Sequence, residues 1–263
     1  MAEEIAWLVK KYGVNNIFSL EANLNLHNWL RTYDYLEQRD IPQLAVSGFI
    51  RAADILDAYR KGILVKLVQK GMRVLSIGLD IPFDSKTDIY RKSFSYKTLM
   101  ACLTVCEDLG VLLSATFIGD PAYTLDEFQN QLQILKELPI ATVDIRLCIA
   151  LRNTEYYRQV SPWLIYRPDE NRHYFNRQNY RYQTIQIPGK ITPRQTYQSV
   201  RLFRKEFLTS DQHVDYVLRF ISRFPESVPF FRKQYTPVFQ NLTVLPEKFR
   251  TLAELLVVSE VHR

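Results

Sequence analysis

Along the first 150 residues the apolar positions alternate between two periods. Ile5, Leu8, Val9 and Tyr12 fall at i, i+3, i+4 and i+7, one face of a helix, and Gly13 follows as a helix-ending glycine. A short strand-like run covers Asn16 to Leu20, and a second helix fits Leu26 to Gln38. Pro42 precedes another strand at Gln43 to Ser47, and helical spacing returns from Ala53 to Lys70, ending at Gly71. Met72 to Leu79 and Val111 to Ile118 are continuous apolar runs, the pattern of strands buried on both faces. Ser95 to Leu109, closed by Gly110, and Leu125 to Leu138 read as helices, and Ala141 to Ala150 reads as a fifth strand.

Five strands separated by helices, with one helix in front, predict an α/β fold of parallel strands joined by right-handed crossovers. The expected architecture is a partial TIM-like (β/α) barrel. The short loops after strands carry Glu21, Arg51, Asp80 and Asp120, at the strand C-terminal ends where parallel α/β folds bind ligands.

After Val160 the texture changes. Residues 161–190 are rich in Arg, Asn, Gln and Tyr without a helical period. Ile191 to Leu208 and Asp211 to Phe224 read as helices, with Thr192–Pro193 as a good helix start and Ser210 as an N-cap. Pro225, Pro229, Pro237 and Pro246 are expected to break up the tail. The expected division is a barrel-like part over 1–160 and an α-rich C-terminal extension over 161–263.

Charge adds a second contrast. The net charge is +6, and residues 161–205 alone hold nine Arg or Lys against Asp169 and Glu170, leaving the remainder near neutral. Eight aromatics are interleaved there, among them Trp163, Tyr166, Tyr174, Tyr180 and Tyr182. Such a mixture suits single-stranded nucleic acid, but no known nucleic-acid module accompanies it. The plainer reading is a solvated cover over the open side of the barrel. Three cysteines without metal-type spacing suit a reducing cytoplasm. The N-terminus has no signal-peptide pattern, and no apolar run is long enough to span a bilayer. Cys102 and Cys106 sit four apart inside a helix with Leu99, Leu103 and Leu109, and are expected to be core thiols, as is Cys148. The four histidines are scattered, with no metal spacing and no nucleophile–histidine arrangement.

Five segments in order, from Tyr12 to Tyr157, resemble the body of a radical S-adenosylmethionine (SAM) barrel of the cobalamin-binding and methylthiotransferase-like kind. YGVNNIFSLEANLNL resembles a strand ending in acids that face the SAM amino group, a place taken by Glu21. GFIRAADIL resembles the next strand and its following arginine, Arg51. GMRVLSIGLDIPFDSKTDIYRKSFSY resembles the glycine, glutamate and serine motif with its later lysine, placing Gly78, Asp80 and Lys92. LLSATFIGDPAYT resembles the strand and Gly-x-Pro-Gly-Glu-Thr turn, retaining Gly119, Pro121 and Thr124. ATVDIRLCIALRNTEYY resembles the last barrel strand and turn, with Thr154 kept. The resemblance implies that Glu21, Arg51, Asp80 and Gly119 contact SAM.

The departures bear on chemistry. The family holds a [4Fe-4S] cluster through Cys-x3-Cys-x2-Cys after its first strand, and the iron left open by three thiolates binds SAM. This sequence contains no such triad and is expected to start one strand too late, so no cluster is expected in this chain alone. The motif glutamate is replaced by Asp80, and the turn Gly-Glu by Ala122–Tyr123. Bland roles stand beside the sharp ones. Glu21 either binds an ammonium group or serves as a helix N-terminal acid favoured by the dipole. Arg51 and Asp80 either touch ligand or pair with each other. Gly119 either admits a ligand or turns the chain.

Three functions are therefore open: a truncated or split radical SAM-like protein, a non-catalytic accessory subunit on a degenerate barrel, and, behind these, a nucleic-acid binder. The expected partner is a protein that supplies the missing strand and cluster loop, since Ile17 to Leu20 would otherwise form a sheet edge. The substrate class is not fixed, because one fold hosts many reactions.

Overall fold

The computed structural model describes residues 1–79, 96–151, 153–165, 184–240 and 247–258. Asp80, Lys92 and residues 166–183 of the aromatic–basic segment lie outside them. Eleven helices and five strands follow in chain order among the described residues: α1 (Ala2–Tyr12), β1 (Asn16–Ser19), α2 (Leu26–Glu37), β2 (Ala45–Ile50), α3 (Ala52–Arg60), α4 (Ile63–Gln69), β3 (Val74–Leu79), α5 (Tyr96–Leu109), β4 (Leu112–Gly119), α6 (Leu125–Glu137), β5 (Thr142–Leu147), α7 (Glu155–Val160), α8 (Pro193–Phe207), α9 (Asp211–Arg223), α10 (Val228–Gln240) and α11 (Glu247–Val258). The alternation and its α-rich extension match the sequence reading.

All four strand pairings are parallel, in the order β1-β2-β3-β4-β5. Sequential parallel order requires each connecting helix to cross the same face. The register shows which face that is. Leu75, Ile77 and Leu79 of β3 stand beside Leu113, Ala115 and Phe117 of β4, and Ala115 and Phe117 stand beside Val143 and Ile145 of β5. All but Val143 are buried, and they share one core with Leu99, Cys102, Leu103 and Cys106 of α5 and Phe128, Leu132 and Leu135 of α6. Burying each such side chain is worth roughly 1.5–3 kcal/mol. The opposite face carries Ser76, Gly78, Ser114, Thr116, Asp144 and Arg146. From Leu113 to Gly119 β4 alternates buried and half-buried residues, where the sequence reading expected burial on both sides.

Three local differences from the sequence reading have physical causes. The helix expected over Ala53 to Lys70 is two, because Gly62 adopts φ 69° between α3 and α4. Ile55, Leu56, Ile63, Leu64 and Leu67 are buried on both sides of the break, so apolar spacing continues across it. β2 is shifted toward Ile50, its ladder opening where the Ala45 N–H bonds the Asn15 carbonyl at 2.9 Å. The tail prolines do not prevent a helix over 228–240. Pro229 lies in the first turn of α10, where the missing N–H costs nothing, and α10 continues past Pro237 with Phe231 and Tyr235 fully buried.

The region after 160 divides in its packing. Ile191, Phe203 and Phe207 join the core around the sheet. Helices α9, α10 and α11 form a second cluster with Leu112 and Ala141, at the N-terminal ends of β4 and β5. Aromatic rings fill it: Phe220 meets Phe231 edge-on at 6.0 Å between centroids, and Tyr216 lies 5.7 Å from Phe220. Arg219–Glu107 and Arg223–Asp108, each at 3.4 Å, tie α9 to the end of α5.

β1 and β5 are the two edges of the sheet. β1 is four residues long and hydrogen-bonds β2 alone among the described strands. Phe18 on it is 50% exposed and Leu20, just beyond, is 89% exposed.

Candidate functional site

The C-terminal ends of parallel strands collect the polar residues that the connecting loops carry, and this row is the candidate site. Each position is built by a local rule.

After β1, Leu24 N–H bonds the Phe49 carbonyl of β2 at 2.6 Å, which folds the loop back over the sheet end. Asn25 then caps α2, its side chain accepting from Asn28 N–H at 3.1 Å. Glu21 Oε2 accepts from the Asn25 N–H at 3.1 Å. Glu21 is thus held at the strand mouth, just ahead of α2, a placement compatible with both roles weighed for it.

After β2, Arg51 is the N-cap residue of α3. Its Nε donates to Asp54 Oδ2 at 2.7 Å, and its side chain is 72% exposed. Asn23 bridges the two loops: its Oδ1 accepts from Arg51 N–H at 3.1 Å and its Nδ2 donates to Asp54 Oδ2 at 2.9 Å. Burial pushes the Asp54 carboxyl up, but the hydrogen bonds from Arg51 and Asn23 outweigh it and hold the group below its ordinary value. Arg51 therefore pairs with Asp54, a partner the sequence reading did not consider. Glu21 and Arg51 are brought to neighbouring strand ends. Asp80, after β3, lies outside the described residues.

Gly119 ends β4 with its backbone on the buried side. A Cβ there would lie 2.8 Å from the Phe128 ring and 3.0 Å from Leu147. Its lack of a side chain lets α6 seat Phe128 against the strand, and that space is filled by protein. Thr124 and Thr154, the retained threonines of the two turn motifs, are helix N-caps. Thr124 forms a reciprocal capping box with Glu127, and Thr154 accepts from Tyr157 N–H at 3.1 Å.

Asp120 is the residue that sequence reasoning flagged as a loop residue but left out of the site. It is buried; Oδ1 accepts from the Ala122 N–H at 2.8 Å, while Oδ2 has no hydrogen-bond partner among the described residues. Burial raises the carboxyl above its ordinary range, against the Ala122 N–H and the Lys190 charge, which pull it down. Burial pushes the Tyr123 and Tyr156 phenols well up, and the nearby Asp120 charge adds to it. A lone Asp one residue past a strand gives no sequence signal of burial, so only the fold reveals this carboxyl.

Cys102, Cys106 and Cys148 are buried, as expected of core thiols. Cys102 and Cys106 face the core from one side of α5, and the hydrogen bond from Cys102, then burial, raises the Cys106 thiol well above its usual value. A cluster ligand must be a thiolate on a chain segment able to wrap the metal. Two adjacent thiols locked in a helix, with the third just past β5, do not fit a [4Fe-4S] cluster.

No protein-family model and no curated protein matches the chain. Several solved structures do. The radical SAM methyltransferase TsrM from Kitasatospora setae, solved with cobalamin and a [4Fe-4S] cluster, is 16% identical over 57% of this chain, with a TM-score of 0.45. Coproporphyrinogen III oxidase (HemN) from Escherichia coli, a radical SAM enzyme, is 17% identical over 79%, with a TM-score of 0.48. The cobalamin-dependent SAM radical enzyme OxsB is 14% identical over 98%, with a TM-score of 0.49. These neighbours are radical SAM enzymes, and the chain spans 30%, 45% and 45% of their respective lengths.

Proposed function

We propose that this chain is a truncated or split radical SAM-like protein: a partial barrel that binds SAM at its strand C-terminal ends and does not cleave SAM by itself. The observation that carries the reading is the row of residues on neighbouring strand ends, Glu21 fixed at the end of β1 and Arg51 at the end of β2. A bound SAM supplies an ammonium, a carboxylate and a sulfonium cation to recognise. Glu21 suits the ammonium, and the exposed guanidinium of Arg51 suits the carboxylate. Ser76, Ser114 and Thr116 on the polar sheet face offer hydroxyls to a polar ligand lying across it.

The cluster comes from outside the set of thiols in this chain. We propose that a partner polypeptide adds a strand beside β1 and brings the cluster loop with it, covering Phe18 and Leu20. The exposed apolar side chains at that edge support this, since an edge strand presents unpaired N–H and C=O groups to an added strand.

Isothermal calorimetry with SAM tests the reading. The expected result is saturable binding that Glu21→Ala weakens by about tenfold or more, the loss of one charge-assisted contact. Absence of binding would leave a scaffold without a SAM pocket, and binding indifferent to Glu21→Ala would move the SAM site away from the end of β1.

A further inference from the structure

We infer that the outer face of α8 is a docking surface for single-stranded nucleic acid, independent of the strand-end site. From Thr184 to Lys205 the chain carries five basic residues and no acid, nearly the whole of the net charge of +6. At 100° per residue, Arg194, Tyr197, Gln198, Arg201, Arg204 and Lys205 lie on one side of α8, and all six are exposed. Thr196, Ser199, Phe203 and Phe207 lie on the opposite side and are buried. The two faces are thus on opposite sides of the helix, with Leu202, 54% exposed, at their boundary.

None of the four cations on the outer face forms an ion pair among the described residues. The acid of this helix, Glu206, is turned toward α6 and engaged by Lys136. Four cations with no ion pair among the described residues then follow one another over ~16 Å of helix. Like charges crowded in this way destabilise the isolated helix, so an arrangement that leaves them unpaired suits an anionic partner of similar length. Arginine forks match phosphate oxygens in pairs. Tyr197, 53% exposed and placed between Arg194 and Arg201, presents a ring on which a base can stack.

Two other anionic partners fit less well. A helix that binds a bilayer surface buries an apolar face in it, but the apolar face of α8 is spent on the protein core. An acidic protein would satisfy the arginines and leave Tyr197 and Gln198 without a specific role.

Fluorescence anisotropy with a labelled uridine-rich RNA oligonucleotide tests the inference on the full chain. Neutralising four phosphates on a single strand gives a log–log salt slope of about −3, hence a fall of more than tenfold between about 50 and about 200 mM salt. Arg194→Gln/Arg201→Gln/Arg204→Gln should retain the wild-type circular dichroism and melting point, lose at least tenfold in affinity, and flatten the slope to about −1. Tyr197→Ala should lose severalfold in affinity with the slope unchanged, because stacking releases no counterions. Three results overturn the inference: no oligonucleotide binding at low salt; equal affinity and slope in the folded triple variant, which would move the contact to another basic segment; and capture by phosphatidylserine vesicles but not by the oligonucleotide.

Discussion

The two ends of the sheet are built in opposite ways. At the N-terminal ends of β4 and β5, α9 to α11 press Phe220, Phe231, Tyr216 and Tyr235 against Leu112 and Ala141. At the C-terminal ends, single polar residues follow the strands, and the contacts are local hydrogen bonds such as Asn25 to Glu21 and Arg51 to Asp54. One end is stabilised by buried area, the other is held by a few directional bonds. A scaffold that is rigid at one end can leave side chains at the other free to meet a ligand.

Each end also buries an ionisable group with unmet hydrogen bonds, and the two titrate with opposite sign. At the N-terminal strand ends His213 is buried, and both ring nitrogens lack partners among the described residues. Phe207 lies 4.4 Å from it, Tyr216 6.0 Å and Tyr235 6.1 Å, so aromatic rings surround it and burial lowers it to about 3. At the open end Asp120 is raised.

The largest test of the contrast removes a ring from the closed end. Phe231→Ala should cost about 3–5 kcal/mol, the usual range for truncating a buried phenylalanine, read as a lowered urea midpoint with unchanged m-value. A cost below about 1 kcal/mol would mean that the helices merely rest on the sheet.

Next comes acid. The folded His213 resists a proton that the unfolded chain accepts below its ordinary 6.5, so stability falls as pH drops from there toward 3. The limiting slope is about 1.4 kcal/mol per pH unit from this one group. His213→Leu removes the two unmet nitrogens and should flatten that slope between about pH 6 and 4. Chemical denaturation at several pH values reads it, and identical slopes in both proteins would exclude His213 as the acid-sensitive group.

The smallest effect belongs to the open end and runs the other way. Asp120 has a raised folded value, so its contribution to stability is lost as pH rises above the ordinary 3.8. Asp120→Asn keeps the Oδ1 acceptor for Ala122 and removes the buried charge. It should be as stable as wild type at low pH and more stable, by about 1 kcal/mol, at neutral pH. A destabilised Asp120→Asn at pH 7 would show that the carboxylate holds a partner there as an anion.

Much of the fold was legible because burial and periodicity coincide. The runs at Leu75 to Leu79 and Leu113 to Phe117 mark central strands, and Thr192, Ser210 and Gly13 mark helix ends by their own capping chemistry. Less of the site was legible. Glu21 and Arg51 stand out as polar residues after apolar strands, but the Arg51–Asp54 pair needs the helical turn to bring i and i+3 together. The space that Gly119 leaves for Phe128 depends on how α6 crosses the sheet. Nor does the charge count over 161–205, nine basic residues to two acids, separate the two faces of α8; the helix phase sorts them.

Anaerobic reconstitution of the purified chain with ferrous iron and sulfide, followed by visible absorption and iron analysis, tests the central claim most directly. With Cys102 and Cys106 locked in α5 and Cys148 buried past β5, the chain should remain colourless and retain no stoichiometric iron after desalting. A brown, stoichiometric cluster that Cys102→Ser, Cys106→Ser or Cys148→Ser abolishes would contradict it, and would assign these thiols to the metal instead of the core.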